Sequence, residues 1–492
     1  MNEKDGLFHE SSDDDEGIID IRKLVEKYKS QNIRIEETDL IREEMLSLFC
    51  QLKQSTSDQN NAINALRVHI PKGFVKPSMM PKNFVQEYVD LFINQRTDIY
   101  IKAALLSLSD DMMKYCVDFV QEFGQELYYS KVYEEMRRGK FYIDQCLPVL
   151  NHFILHYSVA YTYFINRGFL EFIYEKLNTE KGKSSLFALY KTMECFTGSD
   201  KFPLMGNKDL MYQIVDHCIG KIIPSTKEKT FIELETQILV PVIKTLTNLI
   251  IPIGNAELYK NKIIDQCVSV FILSIINEEN LEISIAGTEF LCSATFYSDE
   301  ICMQLQKIGV VQYFSKSMQN DEFFSKCGLN CLRIIYNVLV SCSNNGQEMQ
   351  TYIFVCAKNE DFTSVLNKVM NIGSAKMKND VFSILATIIY FLEPNDSIAF
   401  EKFFELHDYF PVMFNYDQNP QDIFNHLMIA QKLTRVCDIS PFCSQQLSEF
   451  RMIMLSEEMV DSLNNIKLHG PSQELIPYVD QLLEWINDNS PK

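Results

Sequence analysis

Few residues in this chain are spaced for chemistry. His152 and His156 lie four apart, on one face of a helix, which is the spacing of a zinc protease. The intervening residues are Phe153, Ile154 and Leu155, so the Glu that would act as base is missing and packed or groove-facing histidines are expected. Cys327 and Cys331 repeat the spacing, but structural zinc takes four ligands in close pairs and no second pair lies nearby. Gly182-Lys183-Ser184 has the end of a phosphate loop, yet its first Gly would fall at Leu177 and no strand precedes it. No Gly-x-Ser-x-Gly elbow occurs. No catalytic residue, metal ligand or cofactor follows from these positions. Two charged features remain. Arg137, Arg138 and Lys140 form a basic cluster at a helix end, where cations favour the dipole and could also meet phosphate or an acidic peptide. Ser11 and Ser12 each precede an Asp by three, at Asp14 and Asp15, as in an acidophilic kinase site; the competing reading is a plain solubilising tail.

The elements that must carry these residues are helical. Gly is 17 and Pro 15 of 492 residues, below average usages of ~7% and ~5%. So few turn-makers argue against a sandwich or barrel, and no long two-residue alternation marks a strand. The 46 Lys and Arg against 66 Asp and Glu leave a net charge of −20, which opposes nucleic-acid backbones and anionic membranes. Fourteen Cys without a C-x-x-C pair, behind a polar, acidic start with no signal-peptide pattern, read as reduced thiols. A soluble cytosolic or nuclear protein is expected.

Residues 1–16 read as an acidic, unstructured tail, 17–66 as an N-terminal helical cap, 67–82 as a linker holding Pro71, Pro77 and Pro81, and 83–488 as one helical array. Asp110 is placed to cap a helix through Phe119. Within the array Leu246-Thr247-Asn248-Leu249, Leu291-Cys292-Ser293-Ala294 and Ile335-Tyr336-Asn337-Val338 recur at about 45 residues, each followed by a polar break. Gly168 and Gly309 each lie 18 residues beyond a matching Leu, Leu150 and Leu291, and open similar apolar phrases. Leu385 lies 50 beyond Ile335, which calls for an insertion near Asn359–Asp361.

At these residues the chain resembles the armadillo/HEAT-like helical repeat superfamily, whose units run about 40–47 residues. The resemblance implies an all-α, right-handed α-solenoid. It further implies a non-catalytic scaffold or adaptor that holds a partner protein or extended peptide in a concave groove. A regulatory subunit of a kinase, phosphatase or ubiquitin ligase is the alternative. A nuclear transport adaptor fits less well, because such adaptors carry a basic N-terminus and a Trp/Asn ladder, and this chain has an acidic start and only Trp485. In the family the repeat Asn bonds a bound peptide's backbone. Asn248 and Asn337 match it, Ser293 replaces it, and one turn earlier stand Lys244, Glu289 and Arg333. These six residues are the expected partner contacts, with two cations favouring an acidic or phosphorylated segment.

Overall fold

The computed structural model describes residues 56–69, 76–81, 83–199, 208–223, 233–251, 256–343, 351–353, 355–356, 358–391, 414, 419–439 and 445–490. The acidic tail with Ser11 and Ser12, and residues 17–55 of the expected cap, lie outside them. Among the described residues there is no strand. Two compact units divide at Phe202/Pro203.

The first unit contains α1 (Thr56–His69), α2 (Phe84–Ile93), α3 (Ile99–Tyr115), α4 (Asp118–Phe123), α5 (Glu126–Arg137), α6 (Ile143–His156), α7 (Ser158–Asn166), α8 (Phe169–Thr179) and α9 (Lys183–Thr197). A single 3₁₀ turn, Pro77–Met79, stands in the expected linker. Helix α1 packs on α3, α3 on α6 and α6 on α9. The core here is aromatic. Tyr128 touches Phe92, Phe123 and Phe153 with ring centroids 5.4, 5.5 and 6.2 Å apart, and Phe164, Phe169 and Phe196 continue the chain of rings. Burying a phenol requires a partner for its hydroxyl: Tyr128 Oη lies 2.7 Å from Ser109 Oγ, and Tyr88 donates to the Leu105 carbonyl. Asp110 does not start a helix. It sits inside α3, because the apolar stripe from Ile101 to Met113 runs on through it. The cap of α3 is Asp98, which accepts from Tyr100 N at 2.8 Å.

The second unit contains α10 (Lys208–Ile222), α11 (Glu233–Ile250), α12 (Ala256–Asp265), α13 (Val268–Ile275), α14 (Leu281–Tyr297), α15 (Asp299–Lys307), α16 (Val310–Ser317), α17 (Asp321–Ser343), α18 (Glu360–Ile372), α19 (Ala375–Phe391), α20 (Pro420–Ile439), α21 (Gln445–Met454), α22 (Glu457–His469) and α23 (Ile476–Asn489). Helices α12–α14 and α15–α17 are complete units of a first, a second and a long third helix. Their third helices stack in order, α11 on α14, α17, α19, α20 and α23. Leu246, Leu291 and Ile335, the residues that set the period, are fully buried along this stack.

The sharp step from first to second helix needs a left-handed residue, a conformation glycine enters without strain. Gly168 (φ 68°) precedes α8 and Gly309 (φ 76°) precedes α16, so the two glycines matched in sequence are the same hinge. The expected insertion near Asn359–Asp361 falls beside residues 344–350, 354 and 357, which lie outside the described residues. Asn359 caps α18, accepting from Phe362 N at 2.8 Å. Helix α18 runs 13 residues against 8 for α16, its counterpart in the preceding repeat.

Candidate partner-binding face

The third helices present one face whose polar side chains bond mainly to the neighbouring repeat. Asn337 Nδ2 donates to Thr295 Oγ1 at 3.0 Å, tying α17 to α14. Arg333 Nε lies 3.3 Å from Asp380 Oδ2, tying α17 to α19. Asn379 donates to Asp422 at 3.4 Å and Asn425 to Ser383 Oγ at 3.0 Å, tying α19 to α20. Lys432 Nζ lies 3.5 Å from the Tyr390 carbonyl, and Gln431 donates to the Tyr478 carbonyl at 3.1 Å. In the first unit His152 Nε2 and Asp110 Oδ1 are 2.9 Å apart, Arg67 reaches Asp111 at 2.7 Å, and Ser184 reaches Asp144 at 2.7 Å. The helical pair His152 and His156 is therefore joined to α3 through one of its members.

The six expected contact residues fall on α11, α14 and α17. Lys244, Asn248, Ser293, Arg333 and Asn337 are half-buried, and Glu289 is exposed. Each pair four apart shares a helical face. The structure engages Arg333 with Asp380 and one amide of Asn337 with Thr295, so those two groups hold repeats together. Burial raises the Asp380 carboxyl above its ordinary range, against the pull of Arg333 and Lys376. Burial likewise raises the Cys292 thiol, which faces the same Arg333–Asp380 pair. Cys327 and Cys331 are fully buried in α17. Among the described residues no three His, Cys, Asp or Glu side chains converge as metal ligands.

Further along the same face lies an apolar cleft that periodicity did not single out. Val340, Ala386, Thr387, Tyr390, Phe424, Asn425 and Met428 line a shallow, open depression of about 220 Å³. Tyr390 is 61% exposed. Phe424 meets Tyr478 edge-on, with centroids 5.1 Å apart. The pairs 386/390 and 424/428 carry the i, i+4 spacing of a buried stripe, which is why they resemble core positions in sequence. Of the lining residues, Asn425 has its amide held by Ser383 of the neighbouring helix.

No family model matches the sequence, and no curated protein matches it. A solved structure reported as "A conserved phosphorylation switch controls the interaction between cadherin and beta-catenin in vitro and in vivo" is similar in fold. Its TM-score is 0.51 at 8% identity, covering 92% of this chain and 96% of that chain. A designed armadillo repeat protein aligns over 56% of this chain and 100% of its own, with 12% identity and a TM-score of 0.39. In its three-helix units, its left-handed hinges and its stacked third helices, the chain resembles the armadillo-like helical repeat proteins.

Proposed function

We propose that this protein is a non-catalytic scaffold or adaptor that holds a partner protein or extended peptide against the third-helix face of its second unit. The observation that carries the reading is the cleft around Tyr390, Phe424 and Met428. Large apolar side chains stand half-exposed there beside the held amide of Asn425, as the anchors of protein interfaces do. Lys244, Asn248, Glu289, Ser293, Arg333 and Asn337 continue the same face, with Lys244 and Glu289 selecting the segment's charge. Lys244 is the cation best suited to an acidic or phosphorylated residue, since Arg333 already faces Asp380.

Affinity purification of the full chain identifies the partner, and quantitative binding with variants tests the face. Tyr390→Ala together with Met428→Ala should weaken binding by about tenfold or more, the loss typical of interface anchors. Lys244→Glu should weaken it further for an acidic ligand. Arg333→Gln is a cleaner probe than reversal, which would set two carboxylates side by side. A partner that binds all these variants as it binds the wild type refutes the assignment of the face. If the co-eluting partner is an enzyme whose turnover changes on addition of the chain, the scaffold is a regulatory subunit.

A further inference from the structure

The run Arg137-Arg138-Gly139-Lys140 is folded into a single cationic patch on the first unit. Gly139 takes a left-handed conformation (φ 70°) just past the end of α5 and reverses the chain. Gly139 N donates to the Met136 carbonyl at 2.9 Å and Lys140 N to that of Glu135 at 3.1 Å, closing the helix end. This turn brings Lys140 Nζ back to 2.9 Å from Glu135 Oε2. Lys131, one turn earlier, stands 3.1 Å from the other oxygen, and Arg138 lies 3.6 Å away. Burial would raise the Glu135 carboxyl, but the hydrogen bonds from Lys140 and Lys131 outweigh it and hold the group below its ordinary range. Lys102 of α3 joins the same field. It lies over the Phe92 ring, and its ammonium is weakened first by burial, eased by Glu135 and weakened again by Lys131 and Lys140.

Lys131, Arg138 and Lys140 thus share one buried carboxylate, with Glu134 at the rim 3.7 Å from Arg138. A carboxylate offers about four lone pairs, whereas each Lys carries three donors and each Arg five. Donors and positive charge are both in surplus, and the Arg138 and Lys140 side chains are 57% and 55% exposed. The helix C-terminus explains why cations collect here. It does not use up their outward donors. On a chain of charge −20 this patch of surplus, exposed positive charge is a local exception.

We infer that its occupant is the chain's own acidic segment Glu10–Glu16. That segment places Glu10, Asp13, Asp14, Asp15 and Glu16 in seven residues, the densest acid in the sequence. Its approach also fits. Arg67 of α1 bonds Asp111 of α3, so the described helix that follows this segment packs on the helix that carries Lys102. The 39 residues from 17 to 55 reach up to ~130 Å, so length does not limit docking. Individually weak surface pairs suffice, because a segment of the same chain binds as an intramolecular event, at a raised effective concentration. Ser11 and Ser12 lie within the segment, and a phosphate on either adds acceptors that match the Arg138 guanidinium.

Zero-length carbodiimide cross-linking of the full chain, read by mass spectrometry, tests this directly. At low salt the expected product is an amide between a carboxylate of Glu10–Glu16 and Lys102, Lys131 or Lys140 of the same chain. Arg138→Gln with Lys140→Gln should lower the yield at Lys102 and Lys131 at least fivefold, as should 0.5 M salt. Should that variant fail to fold, Asp13→Asn, Asp14→Asn and Asp15→Asn in the full chain must raise the acetylation rate of Lys140 instead. Links spread over other lysines in proportion to their exposure, or no link to the segment, would overturn the inference. Links found only between differently isotope-labelled chains would overturn it too, since the occupant would then be a second copy.

Discussion

Exchanging residues at the helix hinge should have opposite effects in adjacent repeats. Gly168 and Gly309 occupy the left-handed region at the start of a second helix (φ 68° and ψ 35°, φ 76° and ψ 43°). In the repeat between them the same place is held by Cys267 at φ 51° and ψ 36°, just before α13. A side chain there costs about 1–2 kcal/mol through Cβ–carbonyl crowding. Glycine removes that cost but loses about 0.5–1 kcal/mol by freeing the unfolded chain. Cys267→Gly should therefore stabilise the hinge by about 0.5 kcal/mol, the difference of these estimates. The reverse exchange, Gly309→Cys, should cost about 0.5–1 kcal/mol, and its Cβ would stand 3.2 Å from Gln312 Oε1. Hydrogen exchange at the amides of α12–α13 and α15–α16 reads each hinge locally, which suits a chain of two units better than one global melt. About twofold slower exchange is expected around position 267 and two- to fivefold faster exchange around 309. Two changes of the same sign would refute the equivalence of the hinges and the strain argument together.

Two further outcomes follow from cations placed between elements. Lys368 Nζ donates to the Met318 and Gln319 carbonyls at 3.1 and 3.0 Å and to Asp321 at 2.6 Å, closing the end of α16. Lys368→Ala should lower stability by about 1.5–3 kcal/mol, measured as a fall in the calorimetric melting temperature of the second unit's transition. Glu135 has its folded pKa depressed, so its contribution is present above the unfolded value of about 4.3 and is lost as pH falls through the folded value. Glu135→Gln should thus be less stable than wild type at pH 7, with the gap closing below about pH 4; a gap independent of pH in chemical denaturation would contradict this.

The repeat was legible where one residue type answers one physical need. Gly168 and Gly309 mark the hinge because only glycine sits there without strain. At Cys267 the hinge accepts a strained residue, and the motif disappears from the sequence while the geometry stays. Asp110 misled for a related reason. An acidic residue beside an apolar run signals a cap only if the run begins there, and the stripe of α3 begins at Ile101.

The site was legible only as a face, because which stripe of a helix stays uncovered depends on the neighbouring helix. Ala386, Tyr390, Phe424 and Met428 read as core in a helical projection, yet they line a cleft. Conversely, the Asn and Arg positions that resemble ligand contacts serve register: Asn337 bonds Thr295, Arg333 bonds Asp380, and Asn425 bonds Ser383, each 42 to 47 residues away. A spacing of one repeat is what complementary polar residues need to join successive third helices, so polarity on this face is no mark of recognition by itself. Lys244 and Glu289 carry no such bond among the described residues. Charge selection should therefore rest on those two, and anchoring on the cleft, while the bonded Asn and Arg residues keep both in line.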